Sequence, residues 1–74
     1  MQVAVELFSY FRKGRFKQSS VDLPRGATVA DLLMQLQINL SDVGILVING
    51  IPGTTGTLLQ SGDRVTLIPI IGGG

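Results

Sequence analysis

Few residues in this chain could do chemistry, and they point to its end. The 74 residues include no cysteine and no histidine. A thiol nucleophile, a disulfide and an iron–sulfur cluster are therefore ruled out. So are the commonest metal ligand and the usual general base near neutral pH. The carboxylates Glu6, Asp22, Asp31, Asp42 and Asp63 stand singly, and none pairs at a catalytic spacing. Side-chain catalysis is not expected, so the chain reads as a non-enzyme. What remains is Gly72-Gly73-Gly74, which follows the strand-like run Arg64 to Ile71. A carboxylate carried on bare glycine can take almost any backbone angle and thread a channel too narrow for side chains. That suits a terminus that serves as the substrate of another enzyme. A frayed end is the structural alternative.

The elements that must present this tail can be read from the hydrophobic pattern. At this length one small domain is expected over 1–71, with 72–74 as a flexible tail. An apolar fraction of 45% with 15% charged suits a folded core. No apolar run approaches the ~20 residues needed to span a bilayer. Met1 to Glu6 shows neither a basic leader nor a cleavage site, so a soluble cytoplasmic protein is the expectation. Val3, Val5 and Leu7 alternate with Ala4 and Glu6, the period of a half-buried strand. Phe8 to Phe11 prolong it, Gly14 centres a turn, and Phe16 to Leu23 return as the second strand of a hairpin.

A helix begins at Thr28, a good N-cap, with Asp31 completing a capping box. Val29, Leu32, Leu33 and Leu36 form one apolar stripe, while Gln35 and Gln37 face water. Ile38 and Leu40 are expected to tuck beneath the connection after the helix. Ile45 to Ile48 is apolar without alternation and reads as a central strand covered on both faces. Asn49-Gly50 signals a turn. Leu58 and Leu59 return to the core before Ser61-Gly62-Asp63 launches the last strand. The order ββαββ predicts an α+β domain with one helix packed across a mixed sheet.

Arg12, Lys13, Arg15 and Lys17 cluster beside Tyr10, Phe11 and Phe16. Such a cluster could bind RNA through phosphates and stacking, or dock on an acidic partner surface. A solvated loop whose aromatics complete the core is the plainer reading, and a net charge of +1 argues against nucleic acid. Gly50, Gly53 and Gly56 open no helix and precede no Lys-Ser/Thr, so they are turn glycines rather than a phosphate loop. If Val65 and Leu67 face the helix, Ile68 and Ile70 face the uncovered side of the sheet, where Phe8 could join them. That would make an apolar partner site beside the tail; edge-strand packing is the alternative.

Five segments, taken in order, resemble one family. They are Phe8…Arg12, Pro24…Gly26-Ala27-Thr28-Val29, Val47-Ile48-Asn49-Gly50, Gly62-Asp63-Arg64-Val65 and Pro69…Gly73-Gly74. Over essentially the whole chain they resemble the MoaD/ThiS family of ubiquitin-like β-grasp sulfur carriers. The resemblance implies that Gly74 is the adenylated and thiocarboxylated end, with Gly72 and Gly73 lying in a partner's channel. Phe8, Arg12, Ile68 and Ile70 become the partner-docking residues. It implies no cofactor on this chain; ATP is used by an activating adenylyltransferase related to ubiquitin-activating enzymes, and a persulfide donor supplies sulfur. The opening Phe8-Ser9-Tyr10-Phe11-Arg12 looks more like the molybdopterin branch, whose acceptor is a synthase large subunit. Thiazole or tRNA thiolation, a ubiquitin-like modifier ligated to lysine, and a non-catalytic β-grasp binding module are the alternatives.

Overall fold

A computed structural model describes residues 1–71. Its elements are strand β1 (Gln2–Leu7), a 3₁₀ turn (Ser9–Arg12), β2 (Gln18–Asp22) and helix α1 (Val29–Leu36). A second 3₁₀ turn (Leu40–Asp42), β3 (Val43–Ile48), β4 (Ile51–Pro52) and β5 (Arg64–Pro69) come after it. The strands form one mixed sheet in the order β2-β1-β5-β3-β4. β1 and β5 run parallel side by side, while β2 pairs antiparallel with β1 and β3 antiparallel with β5. This is the expected one-helix mixed sheet, with a two-residue strand added at one edge.

Strand alternation sorts the side chains. Val3, Val5 and Leu7 of β1, Val65 and Leu67 of β5, and Leu46 and Ile48 of β3 are buried in one core. They share it with Val29, Leu32 and Leu33 of α1. Each aliphatic side chain buried there contributes about 1.5–3 kcal/mol relative to exposure. The helix starts as its sequence dictates. Asp31 Oδ2 accepts from the Thr28 backbone N–H at 2.8 Å, and Thr28 Oγ1 accepts from the Asp31 N–H at 3.4 Å. The Asn49-Gly50 turn carries φ of 53° and 81°, the paired positive angles that a two-residue hairpin requires.

Four local expectations are corrected. Phe8 to Phe11 do not prolong β1. Phe8 precedes a 3₁₀ turn that swings Phe11 into the core, and β2 begins only at Gln18. β3 is not covered on both faces: Leu46 and Ile48 are buried while Ile45 is 52% exposed, because the single helix covers one side. β5 lies in the middle of the sheet, so its apolar residues are not edge packing. Finally, Ile38 and Leu59 enter the core as expected, but Leu40 and Leu58 are exposed.

Candidate docking face and tail exit

The even-numbered positions of β1 and β5 point away from the helix. Backbone pairing sets Leu7 opposite Leu67 and Ile45 opposite Ile68. The Phe8 N–H donates to the Leu67 carbonyl at 3.2 Å and carries the parallel register one residue further. Phe8, Ile68 and Ile45 thus form a row across three adjacent strands on the open face, close to where β5 ends. Arg12 closes one side of the row. Its guanidinium carbon stands 5.1 Å from the centre of the Phe8 ring, a cation–π distance. Its Nε donates to the Leu7 carbonyl at 2.7 Å. The structure therefore brings Phe8, Arg12 and Ile68 together as the sequence suggests. It adds Ile45, which the sequence pattern assigns to a doubly covered strand. Alternation could not reveal it, because β3 is apolar at every position from Ile45 to Ile48.

The basic cluster divides by role. Arg15 is committed to the fold: its Nε and one amino group donate to the Leu36 and Gln37 carbonyls at 2.8 and 2.9 Å. The other amino group donates to the Phe11 carbonyl at 3.1 Å. It satisfies carbonyls that the end of α1 leaves unpaired and places positive charge where the helix dipole favours it. Phe11 is buried and Tyr10 packs edge-on against it, with ring centres 5.4 Å apart. Lys13 and Lys17 remain exposed. Two exposed lysines beside a committed arginine do not make a phosphate-tracking groove.

Past Ile68, the buried Pro69 ends the strand; proline has no N–H to donate to the ladder. The next residue, Ile70, is 55% exposed and lies beyond the strand rather than within the row. Its N–H donates to the Asp42 carbonyl at 2.8 Å, and its carbonyl faces the Tyr10 hydroxyl at 3.4 Å. Gly72, Gly73 and Gly74, assigned from the sequence to the partner channel and the reacting end, lie outside the described residues. Among the described residues no cluster of three or more carboxylates could hold a metal ion. A concavity of about 480 Å³ lies elsewhere, lined by Leu23, Pro24, Ala27 and Met34 among others, and includes none of the docking residues. No described helix is long and apolar enough to cross a membrane.

Comparison with known proteins gives these features a family. The ThiS family model matches residues 5–74. Among curated protein sequences, no match is found. A Pyrococcus furiosus protein described as molybdopterin converting factor, subunit 1, superposes with a TM-score of 0.78 at 25% identity, over 96% of this chain and 99% of its own. The small archaeal modifier protein 1 of Haloferax volcanii gives 0.77 at 23%, over 95% and 98%. A chain from the Helicobacter pylori complex of subunits 1 and 2 of molybdopterin-converting factor gives 0.67 at 21%, over the full length of both. These structures share the one-helix, mixed-sheet architecture, and the family match runs from the middle of β1 through the glycine tail. The chain belongs to the ThiS family, as a MoaD/ThiS-type, ubiquitin-like β-grasp protein.

Proposed function

We propose that this chain is a sulfur carrier activated at the Gly74 carboxylate, serving pterin cofactor synthesis. One observation carries the reading. The apolar row Phe8–Ile68–Ile45 lies at the end of the sheet from which the chain runs on toward Gly72-Gly73-Gly74. A partner seated on that row would stand beside the point where β5 ends and the remaining residues toward Gly74 begin.

The chemistry begins with an unreactive group. A terminal carboxyl, with a reference pKa of roughly 3.3–3.7, is ionised at neutral pH and is a poor electrophile. An adenylyltransferase supplies the remedy: the carboxylate attacks the α-phosphorus of ATP, pyrophosphate leaves, and an acyl-adenylate forms. The terminal sulfur of a persulfide then displaces AMP. Cleavage of the resulting acyl disulfide by a second thiol leaves the thiocarboxylate on Gly74 and a disulfide on the donor. ATP is the partner's substrate throughout; this chain contributes the carboxyl, the glycine arm and the docking face. The acceptor is a molybdopterin synthase large subunit. The pterin branch is supported by the Pyrococcus furiosus likeness and by the Helicobacter pylori subunit 1, which is found complexed with subunit 2. A carrier of this kind works in the cytoplasm, with its ATP-dependent partner.

Mass analysis of the intact protein and its C-terminal peptide, isolated from native cells and alkylated, tests the reading. An alkylatable replacement of oxygen by sulfur at Gly74 is expected, and the absence of cysteine makes the label unambiguous. A peptide branching from Gly74 to a lysine side chain would establish the modifier instead. An unmodified carboxylate that ATP and the adenylyltransferase also leave unchanged would overturn both.

A further inference from the structure

We propose that Gly44 and Tyr10 form a clamp at the root of the tail that sets the direction in which the chain leaves the sheet. The inference rests on the reading of Gly74 as the activated end. It concerns positioning residues, since neither group touches the reacting carboxyl.

Three observations converge on the Pro69–Ile70 peptide. First, β3 carries a bulge beside it. Val43 pairs with Pro69 and Ile45 with Ile68, so Gly44 is the extra residue on β3. A bulge bends its strand and re-aims the neighbouring backbone. Second, Gly44 touches the outgoing chain. A Cβ there would stand 3.1 Å from the Ile70 nitrogen, 3.2 Å from its Cα and 3.2 Å from the Pro69 carbonyl oxygen. All three are backbone atoms, so an added methyl has no flexible side chain to push aside. Gly44 is not in the left-handed region, and the requirement for glycine there is one of space alone.

Third, hydrogen bonds hold Ile70 from both ends of its backbone. Its N–H donates to the Asp42 carbonyl at 2.8 Å. The Tyr10 hydroxyl reaches its carbonyl at 3.4 Å, long for an O–H···O bond and correspondingly weak. The ring of Tyr10 is itself braced edge-on against the buried Phe11. Ile70 is thus tied to the loops before β2 and β3, although β5 has ended. Only Ile71 separates it from the glycine run. Ile70 therefore fixes the point from which the glycine run starts, and misplacement of reacting groups by about 1 Å can cost on the order of a hundredfold in rate.

The test compares wild type with Gly44→Ala and Tyr10→Phe by two readouts. Amide hydrogen exchange at Ile70, measured by NMR, reports the clamp without reference to activity. ATP–pyrophosphate exchange with the adenylyltransferase from the same cells reports the positioning. In Gly44→Ala, Ile70 is expected to exchange roughly tenfold faster while Val65 and Leu67 keep their protection, the mark of local opening. The kcat of pyrophosphate exchange should fall by roughly tenfold with KM unchanged, because docking is intact and only the root of the arm is displaced. Tyr10→Phe should shift both in the same direction and less.

Unchanged Ile70 protection in Gly44→Ala overturns the clamp. Faster exchange at Ile70 with undiminished kcat overturns its positioning role. A rise in KM together with lost protection at Val65 and Leu67 assigns Gly44 to general stability and overturns the proposal as well. If wild type shows a protected Ile70 but supports no pyrophosphate exchange, the activation reading fails, and the positioning role falls with it while the clamp stands.

Discussion

Asn49 shows how one residue joins two parts of the chain that look independent in sequence. Its φ is 53°, an angle that asparagine tolerates better than most residues. Its Nδ2 donates to Asp63 Oδ1 at 2.9 Å, and its Oδ1 accepts from the Arg64 N–H at 2.9 Å. Asp63 in turn accepts from the Gln60 N–H at 2.8 Å. The Asn49-Gly50 and Gly62-Asp63 turns are therefore one structure, which pins the start of the central strand to the end of β3. Asn49→Ala should destabilise the domain by about 1–3 kcal/mol, through two lost hydrogen bonds and an unfavourable φ. Urea denaturation would measure it. Asn49→Gly should cost less, since it restores the backbone freedom but not the bonds. At the other end of the chain, Gly74→Ala should abolish sulfur transfer while leaving the melting temperature unchanged. On the proposed reading, a methyl group beside the activated carboxyl would collide with a partner channel shaped for glycine. Normal transfer by that variant would refute the tail assignment.

Helix α1 is specified at both ends, but by residues at different distances along the chain. Its start is local. Thr28 and Asp31 exchange hydrogen bonds three residues apart, and Thr28→Ala should cost about 0.5–2 kcal/mol. Its end is remote. Gln37 turns left-handed with φ 58°, and the last carbonyls are taken by Arg15 from the loop before β2. The face between them is fixed by packing: Leu32 and Leu33 are fully buried, whereas Met34 is 76% exposed. Leu33→Ala should therefore destabilise by about 2–5 kcal/mol, while Met34→Ala should stay within about 0.5 kcal/mol. Thermal unfolding of the two variants side by side checks the helix face directly. Equal effects would mean that the assigned stripe is wrong.

At the scale of the whole molecule, one helix on a five-stranded sheet leaves a face uncovered, and the proposed partner would bind the apolar row on it. Ile68→Asp and Ile45→Asp should each weaken binding to the acceptor subunit by about 2 kcal/mol or more, as expected for an apolar anchor at the centre of an interface. Neither should unfold the domain, because Ile68 is only half-buried and Ile45 half-exposed. Isothermal titration with the large subunit would read the first effect and circular dichroism the second. Undiminished binding by both variants would move the interface elsewhere. The sequence by itself determined what depends on neighbours along the chain. The Thr28 cap, the apolar stripe of α1, the Asn49-Gly50 turn and the alternation of β1 and β5 all rest on periods and contacts a few residues long. The absence of cysteine and histidine likewise excluded thiol and imidazole chemistry in these residues without reference to a fold. Tertiary structure alone decided which strand is central, which side of β3 is open, and that Leu40 and Leu58 face solvent. Those outcomes depend on which strands pair and which face the single helix covers. The same is true of Arg15, whose charge looks available for a ligand until the fold brings the end of α1 to it. A local pattern can state that a side chain is apolar or charged, but only long-range pairing settles what stands opposite.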